Sequence, residues 1–262
     1  MRMLNALFSG DWILANTTCF LFFHVIWGLE DKKDIQKLSN VFTFWGSSLM
    51  TVTSVYYIAT EQPEVAILCH SIFYNHMLFE LLYGVLYFPK YMHGLTTYTH
   101  HIVYLLFEYI LIWETSHLYI FVYYFPQEFP TFLLTGKRYF EIDSDFYNLI
   151  LLVSFIFFRF FYYFAVSYHY RNLFFENDLW ENSFFVSMFL MVGVLQSKWC
   201  LDLLLKTLQV SAIKSKPTTD EQIEKVKTTE KWFSNVLYVI KGGIIFVVCL
   251  CVSKLVISSF ST

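Results

Sequence analysis

The sequence predicts an all-α, polytopic membrane protein with about eight transmembrane helices. Three observations carry the prediction. Charged residues make up 15% of the 262 positions, against about 25% in an average soluble domain. Hydrophobic residues account for 56% and aromatic ones for 21%, with a mean hydropathy of +0.49. The apolar residues gather into runs of about 20, the length of helix that crosses the hydrocarbon core of a bilayer.

The runs fall at 12–29, 41–59, 65–88, 94–113, 117–134, 146–168, 183–205 and 233–260. The first begins near Trp12 and ends in IWGLEDKK. It has no basic head beyond Arg2 and no small-residue cleavage site, so it reads as a retained anchor. The glycosylation sequon Asn16-Thr17-Thr18 lies inside this run and is expected to be unused. EDKKDIQK separates the first two runs, TEQPE the second and third, FPK the third and fourth, and ETS the fourth and fifth. Within the fifth, Pro130 removes a backbone hydrogen bond and exposes carbonyls near Glu128. TGKRYFEIDSD and HYRNLFFEND bound the sixth. A long charged stretch, 206–231, precedes the last run, which Lys241-Gly242-Gly243 interrupts. The domain organisation is then a tail and first helix over 1–34, a membrane domain over 35–206, a charged loop over 207–231, and a C-terminal membrane helix over 232–262.

The distribution of basic residues tests the number of spans. With eight spans, the loops after the odd-numbered ones share a side. They carry Lys32, Lys33, Lys37, Lys90, Lys137, Arg138, Lys206, Lys214, Lys216, Lys225, Lys227 and Lys231; the other side carries Arg2 and Arg171. Positive residues favour the cytosolic side. An even number of spans is therefore expected, with both termini lumenal and the 206–231 loop cytosolic.

The net charge of -3 comes with no basic, aromatic-interleaved cluster, so no nucleic-acid partner is expected. The five cysteines (Cys19, Cys69, Cys200, Cys249, Cys251) all lie in apolar runs and form no CxxC pair. Neither a disulfide framework nor a metal is expected, and no cofactor.

Ionisable groups are costly inside a bilayer and usually face a bundle interior or a wet cavity. His70, His76 and Glu80 fall in the third span; His100, His101 and Glu108 in the fourth; Gln127 and Glu128 in the fifth. Arg159 falls in the sixth, and Gln196 and Lys198 in the seventh. His76 and Glu80 are four apart and share a helix face. His101 and Glu108 are seven apart, again on one face, whereas His100 points about 100° away from His101. Glu128 and Arg159 are candidates for an ion pair between helices.

The order of these features resembles the TLC-domain family, which includes ceramide synthases, translocation-associated membrane proteins and lipid regulators. The resemblance covers 35–206 and rests on KLSNVFTFWGSS, HMLFE, THHIVYLL, QEFPTFLLTGKRY, FFRFFYY and LQSKWCLDLLLK. It implies a six-helix membrane bundle around a cavity open to lipids, in the endoplasmic reticulum, with membrane lipids as partners. In the acyltransferase branch the paired histidine serves acyl transfer from acyl-CoA to a long-chain amine. That role falls on His100 and His101, with Glu128 or Glu108 as the supporting carboxylate. His76, Glu80, Glu108, Arg159, Gln196 and Trp199 would then line the cavity. Ceramide synthases carry a histidine–aspartate pair and a second aspartate where this chain has Gln127, Glu128 and Thr131. The resemblance is therefore closer to the non-synthase branches, and implies lipid binding, sensing or homeostasis, with a ceramide synthase-like acyltransferase as the alternative.

Two other classes fit less well. A membrane di-iron oxygenase needs histidine boxes, and the eight histidines here are dispersed. A transporter would be supported by inverted repeats, and none is visible.

Overall fold

The computed structural model describes residues 10–30, 35–87, 101–106, 108, 115–171, 192–194, 196–201 and 203–204. His100, the 207–231 loop, the last predicted span and parts of the fourth and seventh lie outside the described residues. Among the described residues there is no strand, and the chain is all-α. Three helical stretches are long and apolar enough to cross a membrane: Asp11–Leu29, Pro63–Tyr87 and Asp145–His169.

Helix α1 runs Gly10–Leu29, α2 Ile35–Thr60 and α3 Pro63–Tyr87. The second is longer than its apolar run, because IQKLSN joins it. It is also the least apolar of the three, being rich in Ser and Thr. Their hydroxyls donate within the helix: Thr51 to the Ser47 carbonyl at 2.8 Å, Thr53 to that of Leu49 at 2.7 Å, Ser54 to that of Thr51 at 3.0 Å. Such back-bonding satisfies hydroxyls that would otherwise be buried unpaired. The turn into α3 is made by Glu61, whose φ of 51° is left-handed. Its N–H donates to the Tyr57 carbonyl at 2.6 Å, an end-of-helix cap. Pro63 then opens α3, where a missing N–H costs nothing.

Residues 101–106 and 108 are helical. Helix α4, Thr115–Phe121, leads into a 3₁₀ segment, Val122–Glu128, and then α5, Phe129–Tyr139. The break in this run lies upstream of where Pro130 suggests. Pro126 sits inside the 3₁₀ segment, and Pro130 occupies the first turn of α5, where proline is tolerated. Helix α6, Asp145–Ile156, is capped by the Ser144 hydroxyl, which accepts from the Tyr147 N–H. It continues through a π-helical turn, Phe157–Tyr162, into α7, Tyr163–His169.

Helix α2 packs against α3, α5 and the 3₁₀ segment, and α1 packs on α3. Successive long helices alternate in direction, as the contacts at their ends show, so α1 and α3 run parallel, with Asn16 beside Ser71 and Trp27 beside Tyr83. At one end the Tyr139 hydroxyl donates to the Glu30 carboxylate, 2.7 Å from one oxygen, and Lys37 stands over the Tyr139 ring. At the other end Tyr123 meets the rings of Tyr57 and Tyr170. Asn16 ties α1 to α3: it donates to Ser71 Oγ at 3.1 Å and accepts from Asn75 at 3.0 Å, so the sequon amide is engaged inside the protein. Large apolar side chains such as Leu86, Phe146, Phe161 and Tyr168 remain exposed, while His70, His76, His101, Glu108, Arg159 and Gln196 are buried. Polar groups inside and apolar groups outside is the arrangement a bilayer demands.

Candidate functional site

Two histidine–carboxylate pairs join α3 to the 101–108 stretch, with donor and acceptor exchanged between them. His101 Nε2 lies 2.6 Å from Glu80 Oε2. His70 Nδ1 pairs with Glu108 Oε1. The seven-residue spacing of His101 and Glu108 therefore does put both on the face toward α3. Their partners there, at 80 and 70, are about 15 Å apart along the helix.

The pair at His70 is sealed, with the two side chains 0% and 1% exposed. His70 Nε2 lies 2.8 Å from the Leu118 carbonyl oxygen. A carbonyl only accepts, so Nε2 carries hydrogen. One further proton then lies between Nδ1 and the Glu108 carboxyl. The pair is net neutral whichever partner holds it. It also fastens α3 to the start of α4.

Around His101 the carboxylate is shared. Glu80 Oε2 accepts from His101, and Oε1 accepts from the Thr43 hydroxyl on α2. His76, one turn before Glu80, comes to 3.7 Å from the same Oε2, so its contact is electrostatic and the hydrogen bond belongs to His101. Gly46 gives His76 its place: a Cβ there would stand 2.4 Å from the ring Nδ1. Among the described residues that Nδ1 has no hydrogen-bond partner.

A second polar group is built around Arg159, which the π-helical turn carries and which is 5% exposed. Its Nη2 donates to Glu128 Oε1 at 3.0 Å and to Thr131 Oγ1. Its Nη1 donates to Gln196 Oε1 at 3.2 Å, and the Gln196 amide donates on to Gln127 Oε1 at 3.3 Å. The Trp199 ring faces the guanidinium, 5.8 Å away. Arg159 Nε has no partner among the described residues. A buried donor left unmatched costs about 1–3 kcal/mol. The two groups are linked across α2 and α5: Phe44, which follows the Thr43 that bonds Glu80, packs on Phe132 at 5.2 Å, and Phe132 follows the Thr131 that Arg159 bonds.

The structure thus brings together His76, Glu80 and His101 on one side, and Glu128, Arg159, Gln196 and Trp199 on the other. His100 lies outside the described residues. Glu108 stands apart with His70. The carboxylate on His101 is Glu80; Glu108 and Glu128, the two expected in that role, are taken by His70 and Arg159. Thr43, Gly46 and the pairing of His70 were not singled out by sequence. The one signal for Gly46 was a glycine inside an apolar helical run. Among the described residues no group of His, Cys, Asp and Glu side chains is arranged to hold a metal. Comparison with protein-family models, with curated proteins and with solved structures returns no match.

Proposed function

We propose that this chain is a polytopic membrane protein that handles a long-chain lipid among its helices, with His101 and Glu80 at the centre of the site. The carrying observation is a buried imidazole held at 2.6 Å by a partly buried carboxylate, in a chain whose outer face is apolar. A carboxylate fixes the tautomer and raises the basicity of its imidazole. Such a pair is equipped for acyl transfer. His101 would take the proton of a long-chain amine as its nitrogen attacks the carbonyl of acyl-CoA. The new C–N bond forms, the C–S bond breaks, and the proton passes to the departing thiolate. The resemblance of 35–206 to TLC-domain proteins supports the same reading, as does the bias of Lys and Arg, which favours a topology with 206–231 on the cytosolic side, where acyl-CoA would approach. The endoplasmic reticulum is the compartment this reading favours.

The test supplies acyl-CoA and a long-chain base to membranes that lack other N-acyltransferases and carry wild type, His101→Ala or His100→Ala/His101→Ala. N-acyl product and co-purifying lipid are followed by mass spectrometry. Product that disappears in the variants supports acyl transfer. Retained lipid without product, altered in His101→Ala, supports a non-catalytic lipid handler. A wild type with neither product nor retained lipid rejects the reading.

A further inference from the structure

We infer that the Arg159–Glu128 group is a subsite for an uncharged carbonyl of the lipid, and that it discriminates against anionic head groups. The inference rests on the lipid-handling reading and specifies its ligand. Arg159 is buried, and its Nε–H has no acceptor among the described residues although its other nitrogens are engaged. An incoming ligand should therefore supply an oxygen acceptor.

Charge decides which kind. Glu128, 3.0 Å from Arg159, already neutralises it. The remaining polar neighbours, Gln127, Gln196 and Thr131, are uncharged. A phosphate or carboxylate added here would leave an unbalanced negative charge in a low-dielectric interior, which is costly. An ester, amide or thioester carbonyl completes the donor set without adding charge. The π-helical turn that carries Arg159 is a distortion often found at functional sites. The position is apt, since Phe132, next to Thr131, packs on Phe44 at 5.2 Å, and Thr43, beside Phe44, bonds Glu80.

The experiment uses the full chain in lipid nanodiscs, with methyl palmitate as the neutral ester and hexadecanesulfonate as the permanent anion. Binding of each is read by native mass spectrometry, which needs no turnover. Wild type is expected to prefer the ester by about tenfold or more, since one uncompensated charge in a desolvated site exceeds 1.4 kcal/mol. Glu128→Gln is expected to invert the preference, because it leaves Arg159 unneutralised. Arg159→Met tests the donor directly. If that variant does not fold with Glu128 unpaired, Glu128→Gln/Arg159→Met removes both charges and is expected to lose the preference. A wild type that favours the sulfonate, or a preference untouched by Glu128→Gln and by the double variant, would overturn the inference while leaving lipid handling intact. A wild type that binds neither probe and retains no lipid would overturn both.

Discussion

The same chemistry is used twice between α3 and the 101–108 stretch, and the two uses differ in what surrounds them. At His70 both ring nitrogens are committed, one to Glu108 and one to the Leu118 carbonyl, and no solvent reaches the pair. At His101 the carboxylate is divided among Thr43, His101 and a more distant His76, and Phe44, next to Thr43, links it to the Arg159 group through Phe132. A fully committed pair holds helices together. A pair with a shared carboxylate and a neighbouring polar group has capacity for chemistry. Residue type alone does not separate a clasp from a working site; what surrounds the pair does.

Breaking the clasp is expected to have the largest effect. His70→Ala leaves Glu108 buried without its partner, and should cost about 3–5 kcal/mol in thermal or denaturant unfolding of the detergent-solubilised protein. Next comes the working pair. His101→Ala should lower lipid product about 100-fold or more, equal to ~2.7 kcal/mol of barrier, with a smaller loss of stability than His70→Ala; a matched assay of rate and unfolding separates the two. Gly46→Ala should cost about 1–3 kcal/mol through the collision with His76. His76→Ala in the same chain should recover most of that loss, and a double-mutant cycle reads the coupling directly. Glu108→Gln should be mild, within about 1 kcal/mol, because the amide can donate to His70 Nδ1 while Nε2 keeps the Leu118 carbonyl. Smallest of the structural effects, Ser144→Ala removes the cap of α6 and should cost about 0.5–1 kcal/mol.

Much of the helical layout was legible, because apolar run length and breakers are local signals. The first and third runs, at 12–29 and 65–88, match α1 and α3 within two residues at each end. The start of α2 was missed by six residues, since IQKLSN carries little hydrophobic signal. Pro130 was legible as a disturbance, but the 3₁₀ segment begins before it, and the π turn at Arg159 leaves no mark in composition. In the site, the His76–Glu80 face and the Glu128–Arg159 pair were accessible, the first from helical spacing and the second from charges scarce enough to need each other. The partner of His101 was not. Glu108 on its own span and Glu80 and Glu128 on the neighbouring ones were all available, and the choice of Glu80 follows from the antiparallel register of α3 and the 101–108 stretch, a tertiary fact. Thr43 and Gly46 act through contacts with α3 that spacing along α2 does not reveal.

The most direct test compares Glu80→Gln with Glu108→Gln in one preparation, scoring N-acyl product or retained lipid against the thermal midpoint. Glu80→Gln is expected to lose lipid handling while the midpoint moves by no more than ~4 °C, the shift that about 1 kcal/mol produces in a chain of this size. Glu108→Gln should keep lipid handling. Equal loss of function in both variants, or loss in Glu108→Gln alone, would contradict the assignment of His101 and Glu80 as the working pair.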